Sequence, residues 1–312
     1  MSEKIATRDA YGQTLLELGR ENDRIVVLDA DLSGSTKTKP FSKEFPDRFF
    51  NAGIAEANMT GMAAGLAAGG MIPFASTFAV FAAGRAFEQI RQSIAYPGLN
   101  VKIVATHGGI TVGEDGGSHQ SIEDLAIMRS LPKMTVLCPA DGPETSAAIR
   151  AAAAYEGPVY VRLGRGKVPV LFDQDCDFTI GKGVTVRDGS DLTFITTGLM
   201  TAEALQAATI LAEENVSARV VHLGTIKPLD IELVLKAARE TGAVVTAEEH
   251  SVIGGLGGAV CEALAEGCPV PVERVGLRDE FGQSGPASEL LSHYGLTAAH
   301  LVEAAERILA RK

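Results

Sequence analysis

One carboxylate stands out by its surroundings. Glu56, in the segment Gly53-Ile54-Ala55-Glu56-Ala57-Asn58-Met59, opens a run of 28 residues, Ala57 to Gly84, that carries no charge, and the next charged residue is Arg85. A carboxyl in so apolar and small-residue-rich a setting is expected to be desolvated. Desolvation disfavours the charged form and readies such a group to hold or share a proton. A glutamate in the first turn of a helix also complements the helix dipole, by about 0.3 to 1 kcal/mol, so a purely structural role is open on this ground alone.

A second constellation lies in one loop. Thr106 to Gln120 reads THGGITVGEDGGSHQ, in which His107 and His119 flank Glu114 and Asp115 with five glycines between. The loop follows an apolar run, Val101 to Ala105, and so leaves the carboxyl end of a strand, where open α/β sheets build their sites. Long glycine-rich loops at that edge carry function more often than they merely connect. Histidines there suit proton transfer and hydrogen bonding near neutral pH. Zinc needs three or four convergent ligands, and no further cluster with ligand spacing is near, so metal ligation by the loop is not expected.

The third group is dispersed. Arg8 begins the first helix, Ser35 lies in Asp29-Ala30-Asp31-Leu32-Ser33-Gly34-Ser35 after the first strand, and Arg165 follows a later one. Arginine forks bind phosphate in two-point geometry, although each of these residues taken singly also suits a surface ion pair.

The elements that must position these groups alternate in kind. Short apolar runs at 25–28, 71–75, 101–105, 135–137 and 159–161 are separated by helix-like stretches, the pattern of a mainly parallel sheet covered on both faces. The uncharged run reads as helix, turn, buried strand, turn, helix. Gly69-Gly70 and Pro73 interrupt it and its residues are mostly small, so it is not a membrane span. Periodicity fades between Gly164 and Ser190, then restarts with strands at 192–196, 218–222 and 244–246 and helices at 201–213 and 231–240. The expected fold class is α/β with two domains, each with a mainly parallel sheet flanked by helices, divided as residues 1–185 and 186–312. Gly254-Gly255-Leu256-Gly257-Gly258 lacks the spacing of a dinucleotide fingerprint, and close helix packing is expected there instead. Small residues also recur every fourth position at Ala57, Gly61, Gly65 and Gly69, which lets another helix approach closely and places Glu56 near an interface.

Composition excludes several classes. A net charge of −11 argues against nucleic acid or an anionic membrane as partner. Four cysteines, Cys138, Cys176, Cys261 and Cys268, without paired spacing, and an opening without an apolar signal segment, lead to an expectation of a cytoplasmic protein with free thiols.

These elements, in this order, resemble the carboxyl-terminal half of transketolase along the whole chain. The resemblance rests on Lys4-Ile5-Ala6-Thr7-Arg8, the Gly53 to Met59 segment, Ser76-Thr77-Phe78-Ala79-Val80-Phe81, Thr106 to Gln120, Leu163-Gly164-Arg165 and Glu248-Glu249-His250. It implies a pyrimidine-binding domain followed by a smaller carboxyl-terminal domain, with thiamine diphosphate as cofactor. By this resemblance Glu56 hydrogen-bonds the N1′ atom of the cofactor's aminopyrimidine and takes part in its proton chemistry. Phe81 and Phe78 flank the pyrimidine, although core packing would also account for them, and Asp31 lies near the cationic thiazolium. Arg8, Ser35, His107 and Arg165 contact the sugar phosphate, and Asp115 and His119 bind the substrate hydroxyls beside the reacting carbon, with His119 and Glu56 as the catalytic pair. Gly84, where many members carry an aromatic, and Ala57, where they carry a larger residue, depart from the pattern.

One part of the family pattern is missing. Such enzymes hold the diphosphate and its Mg²⁺ with a Gly-Asp-Gly motif followed about 25 to 30 residues later by Asn, hard oxygen ligands suited to that ion. The five asparagines here, Asn22, Asn51, Asn58, Asn100 and Asn215, follow no such motif. The expected reading is one subunit of a split transketolase. A separate N-terminal subunit would hold the diphosphate and most of the Mg²⁺ (or Ca²⁺) shell, in an α2β2 heterotetramer in which this chain self-associates. The substrates would be sugar phosphates exchanging a two-carbon ketol unit, as in the pentose phosphate pathway. The beta subunit of a 2-oxoacid dehydrogenase E1 component, a 1-deoxyxylulose-5-phosphate synthase-like enzyme, and a non-catalytic regulatory homologue are the alternatives.

Overall fold

The structure is a computed structural model and describes residues 3–312. Strands β1 (Lys4–Ala6), β2 (Ile25–Asp29), β3 (Phe49–Asn51), β4 (Ile72–Phe78), β5 (Lys102–Thr106), β6 (Thr135–Leu137), β7 (Val159–Arg162) and β8 (Lys167–Pro169) belong to the first part of the chain. The second part contributes β9 (Val184–Arg187), β10 (Leu192–Thr196), β11 (Ala218–His222), β12 (Thr225–Lys227), β13 (Val244–Ser251) and β14 (Val272–Leu277).

Seven strands form the larger sheet in the order β12-β6-β7-β5-β4-β2-β3, all neighbours parallel except β12, which runs antiparallel to β6. Its central strands β2, β4, β5 and β7 are buried at every residue, as a sheet with both faces covered requires. One face packs Met59, Ala63, Ile90, Ile94 and Met128, and the other packs Tyr11, Leu15, Phe41 and Ile149. The smaller sheet, β14-β13-β10-β11-β9, is parallel apart from its edge strand β9. A short antiparallel pair, β1 with β8, sets Lys4 opposite Pro169 beside the first helix, Thr7–Glu21.

The expected rhythm of the uncharged run appears with one difference. Helix Glu56–Ala68, the Gly69-Gly70 turn and β4 follow in turn, but the final segment is not a plain α-helix: it winds as π turns over Phe81–Arg85 and Ile90–Ala95 around a single α turn, Phe87–Gln89. Single π turns are rare and concentrate at functional sites. Two further features lie beyond what the residue pattern suggested. Strand β12, although it follows β11 of the second domain, completes the edge of the first sheet, and β14 adds a fourth parallel strand to the second.

The domains are tied by buried polar contacts as well. Arg162 on β7 donates to the Glu249 carbonyl at 2.7 Å and lies 3.2 Å from the Asp124 carboxylate, while His222 on β11 meets the Glu144 carboxylate at 2.9 Å. The glycines of 254–258 do pack closely, and they admit an internal carboxylate. Glu248 accepts from the backbone N–H groups of Leu256 and Gly257, at 2.7 and 2.8 Å, at the start of helix Leu256–Gly267, and a side chain on Gly255 would collide with it. Among the described residues no helix is long and apolar enough to cross a membrane. All four cysteines are free, with Cys138 buried.

Candidate active site

Glu56 is the first residue of its helix and its side chain is 4% exposed. Desolvation at this position is therefore as expected, but the carboxylate is not alone. Arg85 Nη1 donates to Glu56 Oε1 at 3.1 Å, and the same guanidinium lies over the Phe81 ring, 4.2 Å from its centre. The residue that ends the uncharged run is thus the partner of the one that opens it. Residue spacing did not reveal this, because Arg85 is 29 positions away and the π turn that aims it left no periodic signal.

The aromatic residues assemble around this pair. Phe78, the last residue of β4, and Phe81 lie nearly parallel, 5.7 Å apart with 10° between planes. The His119 ring meets Phe81 edge-on at 5.5 Å and Phe78 at 6.4 Å, and its Nδ1 is 3.0 Å from Ser118 Oγ. His107 stacks on Phe78 with centroids 3.8 Å apart. Glu56, Phe78, Phe81, His107 and His119 therefore form one continuous cluster.

His107 is held in an unusual way. Its backbone takes φ +59°, in the left-handed region, at the carboxyl end of β5, and its side chain is buried. Arg8 Nη1 lies 3.2 Å from Nε2 and Thr106 Oγ1 lies 2.8 Å from Nδ1. Arginine can only donate, so Nε2 accepts and the proton sits on Nδ1, directed at Thr106. Burial, then the positive charges of Arg8 and Arg165, push its pKa down to about 3, so the ring is neutral at physiological pH.

Arg8 also donates to the Ser35 carbonyl at 3.1 Å, which brings Arg8, Ser35 and His107 together, with Ser35 engaged through its backbone. Arg165 is placed differently: it reaches back to Glu114 at 3.2 Å and to the Val112 carbonyl, pairing with the very loop it borders. Glu114 and Asp115 are exposed on that loop. Asp31, at φ +64°, exchanges hydrogen bonds with Asn51: its N–H donates to Asn51 Oδ1 and its carboxylate accepts from Asn51 Nδ2, both at 3.1 Å.

Several residues that hold this arrangement escaped attention in the sequence. Asp29, at the end of β2, accepts from Thr36, Thr38 and the Leu32 N–H and so shapes the loop carrying Asp31 and Ser35; burial pushes its carboxyl upward. Gln120 Nε2 binds the carbonyls of Ile110, Gly113 and Gln283, folding the glycine-rich loop onto the second domain. Glu249 Oε1 accepts from the Thr111 N–H at 2.7 Å. Each lay inside a segment singled out in the sequence, but without an assigned role. A cavity of about 420 Å³ between the domains, lined in part by Cys138, Arg162, Leu199 and Glu249, includes neither Glu56 nor His119 and is separate from this cluster. No group of three or more His, Cys, Asp or Glu among the described residues is placed to hold a metal ion.

Comparison with known proteins identifies the family and the fold. Residues 3–170 match the transketolase pyrimidine-binding domain and residues 181–301 the transketolase C-terminal domain. A putative transketolase C-terminal section from Methanocaldococcus jannaschii is 56% identical over 292 residues, 93% of this chain and 92% of that protein. A 6-deoxy-6-sulfo-D-fructose transketolase subunit from Clostridium sp. is 49% identical over 98% of this chain and 95% of its own length. A solved structure described as a split gene transketolase, inactive beta4 tetramer, superimposes with a TM-score of 0.92 at 59% identity, covering 98% of this chain and 99% of that one. The transketolase from Leishmania mexicana superimposes with a TM-score of 0.85 at 28% identity, but this chain spans only 46% of it. The chain belongs to the transketolase family, whose members depend on thiamine diphosphate, and corresponds to the carboxyl-terminal section that split forms carry as a separate subunit.

Proposed function

We propose that this chain is the pyrimidine-binding subunit of a two-chain transketolase that moves a two-carbon ketol unit between sugar phosphates. A separate N-terminal subunit holds the cofactor's diphosphate and its Mg²⁺. The observation that carries this reading is the buried Glu56 carboxylate, joined through Arg85 to the half-buried Phe81 ring, in a chain without the diphosphate motif.

The residues present fit the aminopyrimidine end of thiamine diphosphate. Glu56 offers a buried acceptor, Phe78 and Phe81 offer aromatic faces, and a side chain added at Gly84 would meet nothing within 4 Å, which leaves room beside them. They do not fit the diphosphate, for which neither a cation-holding carboxylate cluster nor the expected motif is available among the described residues. When bound, the cofactor supplies the carbon nucleophile that carries the two-carbon unit. Glu56 exchanges a proton with the heterocycle through Oε1, in a water-poor setting that favours the exchange. His119 and Asp115 hold the hydroxyls beside the reacting carbon, and neutral His107 accepts at Nε2 or donates at Nδ1 without adding charge. Arg8 and Arg165 supply the positive charge for the substrate's phosphate; Arg165 exchanges Glu114 for the phosphate when substrate arrives. Asp31 would supply a negative charge toward the thiazolium when the cofactor is bound.

The solved relative described as an inactive beta4 tetramer supports both the partner requirement and self-association of this chain, and the active assembly proposed is α2β2. The assay that tests the chemistry is ketol transfer by the two-chain enzyme with matched phosphorylated and unphosphorylated ketoses. Glu56→Gln is expected to cut kcat by roughly 100-fold or more, and Arg165→Ala to raise KM for the phosphorylated ketose by about tenfold while leaving the other nearly unchanged. Equal effects of Arg165→Ala on both donors would remove it from the phosphate site, and full activity of Glu56→Gln would end the proton-handling assignment.

A further inference from the structure

The contacts of Arg85 are those an aminopyrimidine would make. Its guanidinium is planar and lies over the Phe81 ring at 4.2 Å, while an N–H of the same group donates to Glu56 Oε1 at 3.1 Å. A flat nitrogen-rich group that stacks on an aromatic face and donates to the buried carboxylate describes both this side chain and the pyrimidine end of the cofactor. Phe81 and Arg85 stand four positions apart on this helical segment, the spacing that places one side chain over the other.

We propose that Arg85 is a built-in surrogate for the cofactor's pyrimidine: it fills the site in the unloaded subunit and must swing out for thiamine diphosphate to bind. The inference rests on the function proposed above. Physical chemistry gives the device a purpose. A buried carboxylate without a counter-charge is costly, and Glu56 is buried at 4% exposure, so a chain that waits for its partner needs a temporary cation there. Mobility is built in as well, since the Arg85 side chain is 54% exposed. Its neighbour Gly84 is exposed and has no atom within 4 Å of where a side chain would begin, so the guanidinium has open space to move into. A half-exposed ion pair plus one cation–aromatic contact is worth little enough to be displaced, and enough to be felt as competition.

The test is calorimetric titration of thiamine diphosphate, in saturating Mg²⁺, into the reconstituted two-chain enzyme carrying wild-type, Arg85→Lys or Arg85→Ala subunits. Removing the competitor is expected to tighten cofactor Kd by roughly five- to twentyfold in Arg85→Ala, with Arg85→Lys, which keeps the charge but loses the planar fork, about threefold tighter. Unchanged or weaker binding by folded Arg85→Ala would overturn the proposal. If that variant does not fold, Arg85→Lys decides by the same criterion. A crystal structure of the loaded wild-type complex provides the second arm: Arg85 should have left the Phe81 face, and finding it still stacked there would also overturn the proposal. Failure of the wild-type complex to bind the cofactor at all would instead refute the two-chain reading on which the surrogate depends.

Discussion

At the scale of single residues, His107 is the group whose surroundings make the sharpest claim. Its pKa is pushed down to about 3, first by burial and then by the charges of Arg8, Arg165, His119 and Lys37, whereas in the unfolded chain it titrates near its ordinary 6.5. Below that pH the unfolded chain takes up a proton that the folded chain refuses. The His107 contribution is therefore complete above about pH 6.5 and is lost as pH falls toward 3, at up to ~1.4 kcal/mol per pH unit. Asn tolerates the left-handed backbone at this position, so His107→Asn is a fair probe. Urea midpoints of this variant should fall less steeply than wild type between pH 6.5 and 4.5; parallel slopes would contradict the assignment. Residues of this kind were readable in advance only in part. Glu56 was conspicuous because an uncharged run isolates it, but its partner Arg85 lay beyond that run, where only the fold could bring the two together.

The glycine-rich loop acts as one element, and its glycines have unequal work. Gly109 has φ +83°, and a side chain there would begin 2.2 Å from the Glu249 carboxyl carbon, against the very residue that accepts from the Thr111 N–H. Gly109→Ala is therefore expected to cost about 1 to 3 kcal/mol, from backbone strain and from displacing a buried carboxylate, measured by equilibrium urea unfolding. A change below about 0.5 kcal/mol would mean that Glu249 does not clamp the loop. The run 192–196 was legible as a strand to the residue, since burial on both faces writes a continuous signal, and 218–222 was legible through its Val220-Val221 centre. Three-residue strands mostly were not, Thr135–Leu137 in the buried ladder being the exception. Phe49–Asn51 and Thr225–Lys227 are too short for any periodicity, and the second joins a sheet of the preceding domain, which only tertiary contact determines. The π turns at 81–85 and 90–95 were equally hidden, because the residues there fit an α-helix as well.

On the scale of the whole molecule, the proposed reading makes the chain one side of an active site that another chain completes. The small-residue stripe of helix Glu56–Ala68 is open: side chains added at Gly61 or Gly65 would meet nothing within 4 Å, and Ile54 just before the helix is 78% exposed. Such a surface suits close approach of another chain beside Glu56. The diphosphate and metal motif of the family has no counterpart among the described residues, and this is the ground for proposing a second subunit. The central claim is that this site is half of one. Its most direct test is ketol transfer measured with thiamine diphosphate and Mg²⁺ for the purified chain, for the purified N-terminal subunit, and for their mixture. The account predicts transfer by the mixture alone, with neither subunit above background; ketol transfer by this chain without its partner, or a mixture as inert as its parts, would contradict it.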